Sequence, residues 1–235
     1  MSEPRPRAVC LVSGGMDSAV ALAEARDRKF DTVALSFDYG QRHRRELSAA
    51  AQVAAALGAI EHKVVVLDLR TIGGSALTSD LAVPKDRSTE AIGHGVPTTY
   101  VPARNTVFLS LALALAEVVG AQHIYLGVNA LDYSGYPDCR PEFLAAFEAL
   151  ARVATVAGAE RHEALQIHAP LLKMTKADIV RRGRELGVDF ALTHTCYDPV
   201  VVGAGTLACG RCDACILRLK GFAEAGFTDP VPYAE

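Results

Sequence analysis

Short β-branched runs alternate with longer Ala- and Leu-rich runs along most of this chain, and few folds accept that alternation. Ala8–Val12, Thr32–Phe37, Lys63–Leu67, His123–Gly127 and Leu165–Ala169 read as buried parallel strands. Ser18–Lys29, Arg44–Leu57, Asn105–Val119 and Lys176–Leu186 read as the helices between and after them, and Ile216–Ala225 as a last short helix. In the second helix Leu47, Ala50, Ala51, Ala54 and Leu57 fall three or four apart, a spacing that buries one face. Gly58 and Gly187 stand where two of these helices should stop. The repetition predicts an α/β fold, a doubly wound parallel sheet with helices on both faces. Two segments break the rhythm. Thr71–Pro102 is rich in glycine and proline and is expected to be a lid or binding loop, while Thr193–Cys215 is Gly-rich and expected to be irregular.

Composition narrows the class of function. The chain has 235 residues with 24 Lys+Arg against 27 Asp+Glu, a formal net charge of −3. A protein that coats nucleic acid needs a basic excess, which this chain lacks. The length suits one domain over residues 1–235, with 193–225 as an appended loop and terminal helix. The most apolar helix-like run, Val107–Ala116, is shorter than the ~20 residues that span a bilayer. Met1–Arg7 is polar and Pro-broken, unlike a secretory leader, so a reduced, cytoplasmic setting without membrane partners is expected.

In that setting clustered cysteines read as metal ligands. Cys196-x12-Cys209-x2-Cys212-x2-Cys215 gathers four of the six cysteines. The short spacings let thiolates converge on one tetrahedral ion, so a single structural Zn2+ held by four sulfurs is the favoured reading. An iron–sulfur cluster is the rival, since such a run also suits cluster ligation. His194, two residues before Cys196, could substitute as a ligand, but is expected to be a loop residue or to face the active site.

The first predicted strand runs into Val12-Ser13-Gly14-Gly15-Met16-Asp17-Ser18 and then a helix. In open α/β sheets ligands sit beyond the carboxyl ends of strands. There, successive N–H groups and the positive end of a helix attract an anion, and Ser13 and Ser18 add hydroxyls. The Gly-Lys-Ser/Thr ending of a Walker A loop is missing. The same residues also suit a tight turn capped by Asp17 or Ser18.

Tyr39, Gln41, Arg42 and His43 follow the second strand. Tyr39 and Gln41 suit a nucleotide base, and Arg42 and His43 an anion, although all four equally suit a polar start to the next helix. Arg104 and Asn105 open the third helix, where a guanidinium suits phosphate or carboxylate. Lys173 and Lys176 follow the fifth strand, placed to offset phosphate charge or simply to face solvent. Asp132–Arg140 concentrates Asp132, Tyr133, Ser134, Tyr136, Asp138 and Arg140 in nine positions, with Cys139 among them expected to be a passive thiol. Cys10 is expected in the core.

Ser-Gly-Gly-Met-Asp-Ser resembles the pyrophosphate-binding loop of the ATP pyrophosphatase (PP-loop) superfamily, whose fold is adenine nucleotide alpha hydrolase-like. Phe37–His43, Val101–Asn105, Gly127–Asn129, Asp132–Arg140, Ala169–Leu171 and the cysteine tail resemble the QueC family, the 7-cyano-7-deazaguanine synthases. Two departures stand out: Ala103 where the family has Gly, and a long spacer between Cys196 and Cys209. The resemblance implies a ligase that converts 7-carboxy-7-deazaguanine and ammonia to the nitrile, preQ0, through successive adenylation of carboxylate and amide. ATP would be co-substrate with Mg2+. It implies binding of the nucleotide by Val12–Ser18 and of substrate by Tyr39, Gln41, His43, Asn105, Asp132, Tyr136, Asp138 and Arg140. It also implies catalytic roles for Asp17, Arg104 and Lys176. Asp132 or Asp138 would read the deazaguanine edge and Arg140 its carboxylate. A homodimer acting on small molecules is implied, with no nucleic-acid partner. The alternatives are a PP-loop enzyme acting on tRNA and a non-enzymatic, zinc-stabilised nucleotide-binding module.

Overall fold

The computed structural model describes residues 4–92, 95–129, 135–203 and 205–234. Strands β1 (Arg7–Leu11), β2 (Asp31–Asp38), β3 (Glu61–Val66), β4 (His123–Tyr125) and β5 (Gln166–His168) form a parallel sheet in the order β3-β2-β1-β4-β5. β1 lies at its centre, pairing Ala8 with Thr32 on one side and with His123 on the other. The chain leaves β1 towards β2 and β3, then crosses back to β4. The reversal falls between β1 and β4, and the crevice at their carboxyl ends is where such sheets bind ligands.

Side-chain alternation along β1 divides the core in two. Ala8, Cys10 and Val12 face helices α1 (Met16–Asp27), α2 (Arg45–Ala56) and α5 (Lys176–Glu185), meeting Val20, Leu22, Val53, Ala54 and Ile179. Val9 faces the opposite layer, α3 (Arg104–Val119) and α4 (Pro141–Ala154), in a cluster with Leu109, Ala112, Leu144 and Phe147. Helices therefore cover both faces, as the alternation predicts. Cys10 is in the core, where burial pushes its thiol pKa upward. α5 begins with a reciprocal cap, Thr175 accepting from the Asp178 N–H and the Asp178 carboxylate accepting from the Thr175 N–H.

Several sequence expectations need correction. Lys63–Leu67 and Leu165–Ala169 are not buried on both faces: they fall in and around β3 and β5, the two sheet edges, where Val64 and Val66 are 46% and 76% exposed and Gln166 is exposed. The buried face of α2 is turned slightly, burying Val53 and exposing Ala51. α4 is a full helix that was not anticipated. The segment Thr193–Cys215 is not wholly irregular, since Val200–Val202 and Gly205–Leu207 pair as an antiparallel ribbon, β6 and β7. The last helix, α6 (Asp213–Ala225), also starts earlier than expected.

The described residues of the Thr71–Pro102 segment are docked as a wall. Ser75–Thr78 are buried, and Lys85, Asp86 and Arg87 fasten the segment to the cysteine tail. Lys85 bridges Cys212 in a strand-like contact and reaches Asp198 at 2.7 Å. The Asp86 N–H donates to the Arg211 carbonyl at 2.9 Å, and Arg87 pairs with Asp213 at 2.8 Å. Among the described residues no helix is long and apolar enough to cross a membrane.

Candidate active site

The crevice at the sheet's carboxyl end opens into a cavity of about 250 Å3. Its upper rim is the turn from β1 into α1. Gly15 occupies the N-cap position of α1 and no side chain caps the helix, so neither Asp17 nor Ser18 plays that role. The turn is instead braced from within. Ser18 Oγ accepts from the Ser13 N–H at 3.2 Å, lies 3.1 Å from Ser13 Oγ, and donates to the Gly15 carbonyl. First-turn amides left without a side-chain partner, at the positive end of a twelve-residue helix, suit an anion.

Two glycines permit this arrangement. Gly14 has φ +86°, and a Cβ there would lie 2.3 Å from the Glu46 carbonyl oxygen, so the turn presses directly on α2. A Cβ on Gly127 would come within 2.8 Å of the Asp17 and Ser18 backbone, so the end of β4 packs equally tightly under α1.

Asp17 is held from two sides. Its Oδ2 accepts from Lys176 Nζ at 2.6 Å and from Asn129 Nδ2 at 3.4 Å. Its Oδ1 is buried without a hydrogen-bond partner among the described residues. That orphaned oxygen beside an anion-binding turn fits a hard divalent cation such as Mg2+. Lys176 is mostly buried, drawn into this pair, while Lys173 is exposed.

Arg104 lies across the cavity, its Nη1 donating to Tyr39 Oη at 3.3 Å and its guanidinium 5.8 Å from that ring. Burial opposes its charge, but the facing hydroxyls of Tyr39, Tyr197 and Tyr136 outweigh this and raise its pKa. Burial also raises the pKa of Tyr39. The walls are aromatic: Phe37 and Phe108 stack at 3.9 Å, and Tyr100 and Tyr136 at 5.7 Å. Such walls suit planar heteroaromatic rings.

Other expected residues behave differently from one another. Asp138 and Asn105 both line the cavity, but they are bonded together: the Asn105 N–H donates to Asp138 Oδ2 at 2.9 Å and its amide donates to the Asp138 carbonyl at 3.1 Å. Gln41 spends its amide within its own turn, accepting from the Tyr39 N–H and donating to the Phe37 carbonyl. His43 is not in the cavity lining and lies 3.8 Å from Asp198. Arg42 donates to the Leu81 carbonyl at 3.0 Å. Arg140 is exposed and also absent from the lining. Asp132, Tyr133 and Ser134 lie outside the described residues. Cys139 is buried, its sulfur 3.1 Å from the Asn105 amide, as suits a passive thiol.

Several lining residues carried no legible functional signal. Thr195, Tyr197 and Phe108 belong to this group, as does Glu46, whose carboxyl is pushed up to about 7 by burial despite Arg104. His194 faces the cavity, as one reading allowed, and burial pushes it down to about 4.

Behind the cavity the four cysteines converge. Their Sγ atoms all lie within 4.8 Å of one another, and all four residues are buried. A tetrahedral ion with metal–sulfur bonds of ~2.3 Å needs edges of about 3.8 Å, so the cluster requires only slight contraction. The N–H groups of Cys209 and Asp198 donate to Cys196 Sγ, and the Cys212 N–H to Cys209 Sγ, an arrangement that favours thiolates. The long spacer is accommodated by the β6–β7 ribbon, which returns the chain to the cluster. α6 is tied to the cavity floor by Arg218, which bonds Thr195, Thr193 and the Phe190 carbonyl.

A family model described as Queuosine biosynthesis protein QueC matches residues 7–226. The 7-cyano-7-deazaguanine synthase of Geotalea daltonii is 62% identical over 230 residues, covering 98% of this chain and 97% of that protein. Proteins of the same name from Myxococcus xanthus and Kineococcus radiotolerans are 59% and 61% identical, covering 97% and 96% of this chain and 98% and 97% of those proteins. Among solved structures, a 4-thiouridine synthetase–RNA complex with bound ATP is similar at TM-score 0.49 and 20% identity, covering 78% of this chain and 41% of that one, too slight a likeness to bear on function. With the family pattern matched from residue 7 to residue 226 and these relatives aligned along nearly their whole length, the chain belongs to the QueC family.

Proposed function

We propose that the chain catalyses ATP-dependent conversion of 7-carboxy-7-deazaguanine and ammonia to 7-cyano-7-deazaguanine, supplying queuosine or other 7-deazapurine synthesis. The observation that carries this reading is the near-complete alignment with relatives bearing that name, at 62% identity in the first of them. These relatives favour it over a tRNA-acting enzyme. The cavity suits the chemistry. The Val12–Ser18 turn and the α1 amides receive the pyrophosphate of ATP, and the aromatic walls receive the deazaguanine ring. Asp138 reads the ring's N–H edge, with Tyr39 and Tyr136 beside it. Arg104 meets the substrate carboxylate and the phosphate that forms on it. Lys176 fixes the Asp17 carboxylate so that Oδ1 faces the polyphosphate. Mg2+ at Asp17 Oδ1 would neutralise charge on the transferred phosphate.

The carboxylate attacks the α-phosphate and pyrophosphate leaves; ammonia displaces AMP; the resulting amide is adenylated by a second ATP with loss of pyrophosphate, and elimination of AMP leaves the nitrile. The docked 71–102 wall excludes water from the adenylates. On this reading residues 1–235 form one domain with 193–225 as its metal-binding loop and terminal helix. The four cysteines hold Zn2+ in a purely structural role, and the enzyme works in the cytoplasm as a homodimer.

Incubation of the protein with ATP, Mg2+, ammonium and the 7-carboxy compound should yield two AMP per nitrile. Absence of any ATP-dependent product would overturn the proposal. Light scattering tests the homodimer, and metal analysis of freshly purified protein separates zinc from an iron–sulfur cluster.

A further inference from the structure

The nitrile chemistry proposed above needs protons removed from nitrogen, and one carboxyl group in the cavity has no structural bond to account for it. Asp17 is bonded to Lys176 and Asp138 to Asn105. Glu46, in the first turn of α2, lines the same cavity and makes no hydrogen bond or ion pair among the described residues. Its position is fixed all the same. The contact of Gly14 with the Glu46 carbonyl clamps the first turn of α2 against the anion-binding turn. The groups that face it are Tyr39, beyond β2, and Arg104, on α3. The other titratable groups in the cavity lining are Asp17, Asp138, Cys139, His194, Tyr100, Tyr136 and Tyr197.

We propose that Glu46 is the proton acceptor for both nitrogen steps, an inference that rests on the function proposed above. In the first step ammonia bonds to the acyl-adenylate carbon, the carbon–oxygen bond to AMP breaks, and the nitrogen gives one proton to the Glu46 carboxylate. The product is the amide, and Glu46 returns its proton to water as AMP departs. In the second, the amide oxygen attacks a second ATP and expels pyrophosphate, and the nitrogen releases a first proton to water, leaving an O-adenylyl imidate with one N–H. Glu46 takes that last proton as the third carbon–nitrogen bond forms and AMP leaves. A base that serves twice near neutrality must accept a proton readily and release it between steps. A carboxyl raised by burial to about 7 meets both demands better than an ordinary glutamate.

The first adenylation, on the carboxylate, removes no proton from nitrogen, and this separates the proposal from a structural role. Glu46→Gln should retain exchange of labelled pyrophosphate into ATP, dependent on the 7-carboxy compound, within about threefold. Its amide and nitrile formation should fall by roughly 10²–10⁴, the usual contribution of a general base. In the unmodified enzyme, with free ammonia held constant across pH, nitrile formation should fall on the acid side of pH 7 while exchange stays flat. This second measurement stands even if the variant fails to fold. Exchange and nitrile formation falling together in a folded variant, undiminished nitrile formation, or equal pH profiles for the two reactions would each overturn the role of Glu46. Absence of substrate-dependent exchange in the unmodified enzyme would instead overturn the functional reading.

Discussion

Arg218 offers the sharpest test of how the tail supports the cavity. It is 2% exposed, the largest fully buried side chain among the described residues. Its guanidinium makes a two-pronged pair with Asp229 at 2.7 and 2.9 Å and donates to Thr193 Oγ1 at 2.6 Å, Thr195 Oγ1 at 3.1 Å and the Phe190 carbonyl at 3.1 Å. Asp229 in turn accepts from the Tyr233 hydroxyl and the Val231 N–H. Arg218→Met keeps most of the volume but leaves a buried carboxylate with only those two neutral donors. Breaking a buried pair in this way costs about 3–5 kcal/mol. In a domain of this size that lowers Tm by about 6–20 °C. Adding Asp229→Asn removes the stranded charge, so the double variant should be no less stable than Arg218→Met alone. The coupling energy in the cycle should approach about 3 kcal/mol. Urea unfolding of the wild type, both single variants and the double variant, followed by far-UV circular dichroism, measures it. A cost below about 1 kcal/mol for Arg218→Met, or singles that simply add, would refute the assignment of Arg218 and Asp229 as a strongly coupled buried pair.

Three further outcomes follow from particular residues. Ala103 stands at the N-cap of α3 with φ +52°. A left-handed L-residue costs about 1–2 kcal/mol, so Ala103→Gly should raise stability by about 0.5–1 kcal/mol in urea after the added chain entropy. Cys212→Ser should reduce bound metal from one ion per chain to near zero by elemental analysis, and should speed amide exchange at residues 85–87, which are fastened to this loop. Glu46 has a folded pKa raised from 4.5 to about 7, so the native state binds more protons than the unfolded state in that window and stability falls as pH rises through it. Glu46→Gln removes the effect. Its stability advantage over wild type should grow by about 2.5 kcal/mol between pH 5 and pH 8, and a flat difference would contradict the burial of this carboxyl.

The sheet was legible because its central strands β1 and β2 are buried and carry mostly β-branched or aliphatic residues whatever face they show. The same logic misjudged β3, for Lys63–Leu67 would read identically in the centre of a sheet or at its edge. α4 did carry a signal, with Pro141 in its first turn and Leu144, Phe147 and Ala151 at helical spacing. Within the site, the Ser13–Ser18 turn and the four cysteines could be read locally because their partners are close in sequence. Asp17 and Lys176 are 159 positions apart, so only the fold discloses that each uses the other. Glu46 was hidden for a different reason. An acid in the first turn of a helix complements the helix dipole, and nothing in its neighbours separates that role from a catalytic one.

The fastening of residues 85–87 to residues 198–213 also bears on how the protein is made. A growing chain presents the anion-binding turn early and the wall of the cavity soon after. Residues 85–87 of that wall lack these contacts until the cysteine loop has emerged. Contacts this far apart in sequence form late, since their loop-closure entropy comes before any reward. On the function proposed above, the anion-binding turn therefore forms before the pocket that would protect an adenylate is complete, and a metal held by the four cysteines would fix the last part of its wall.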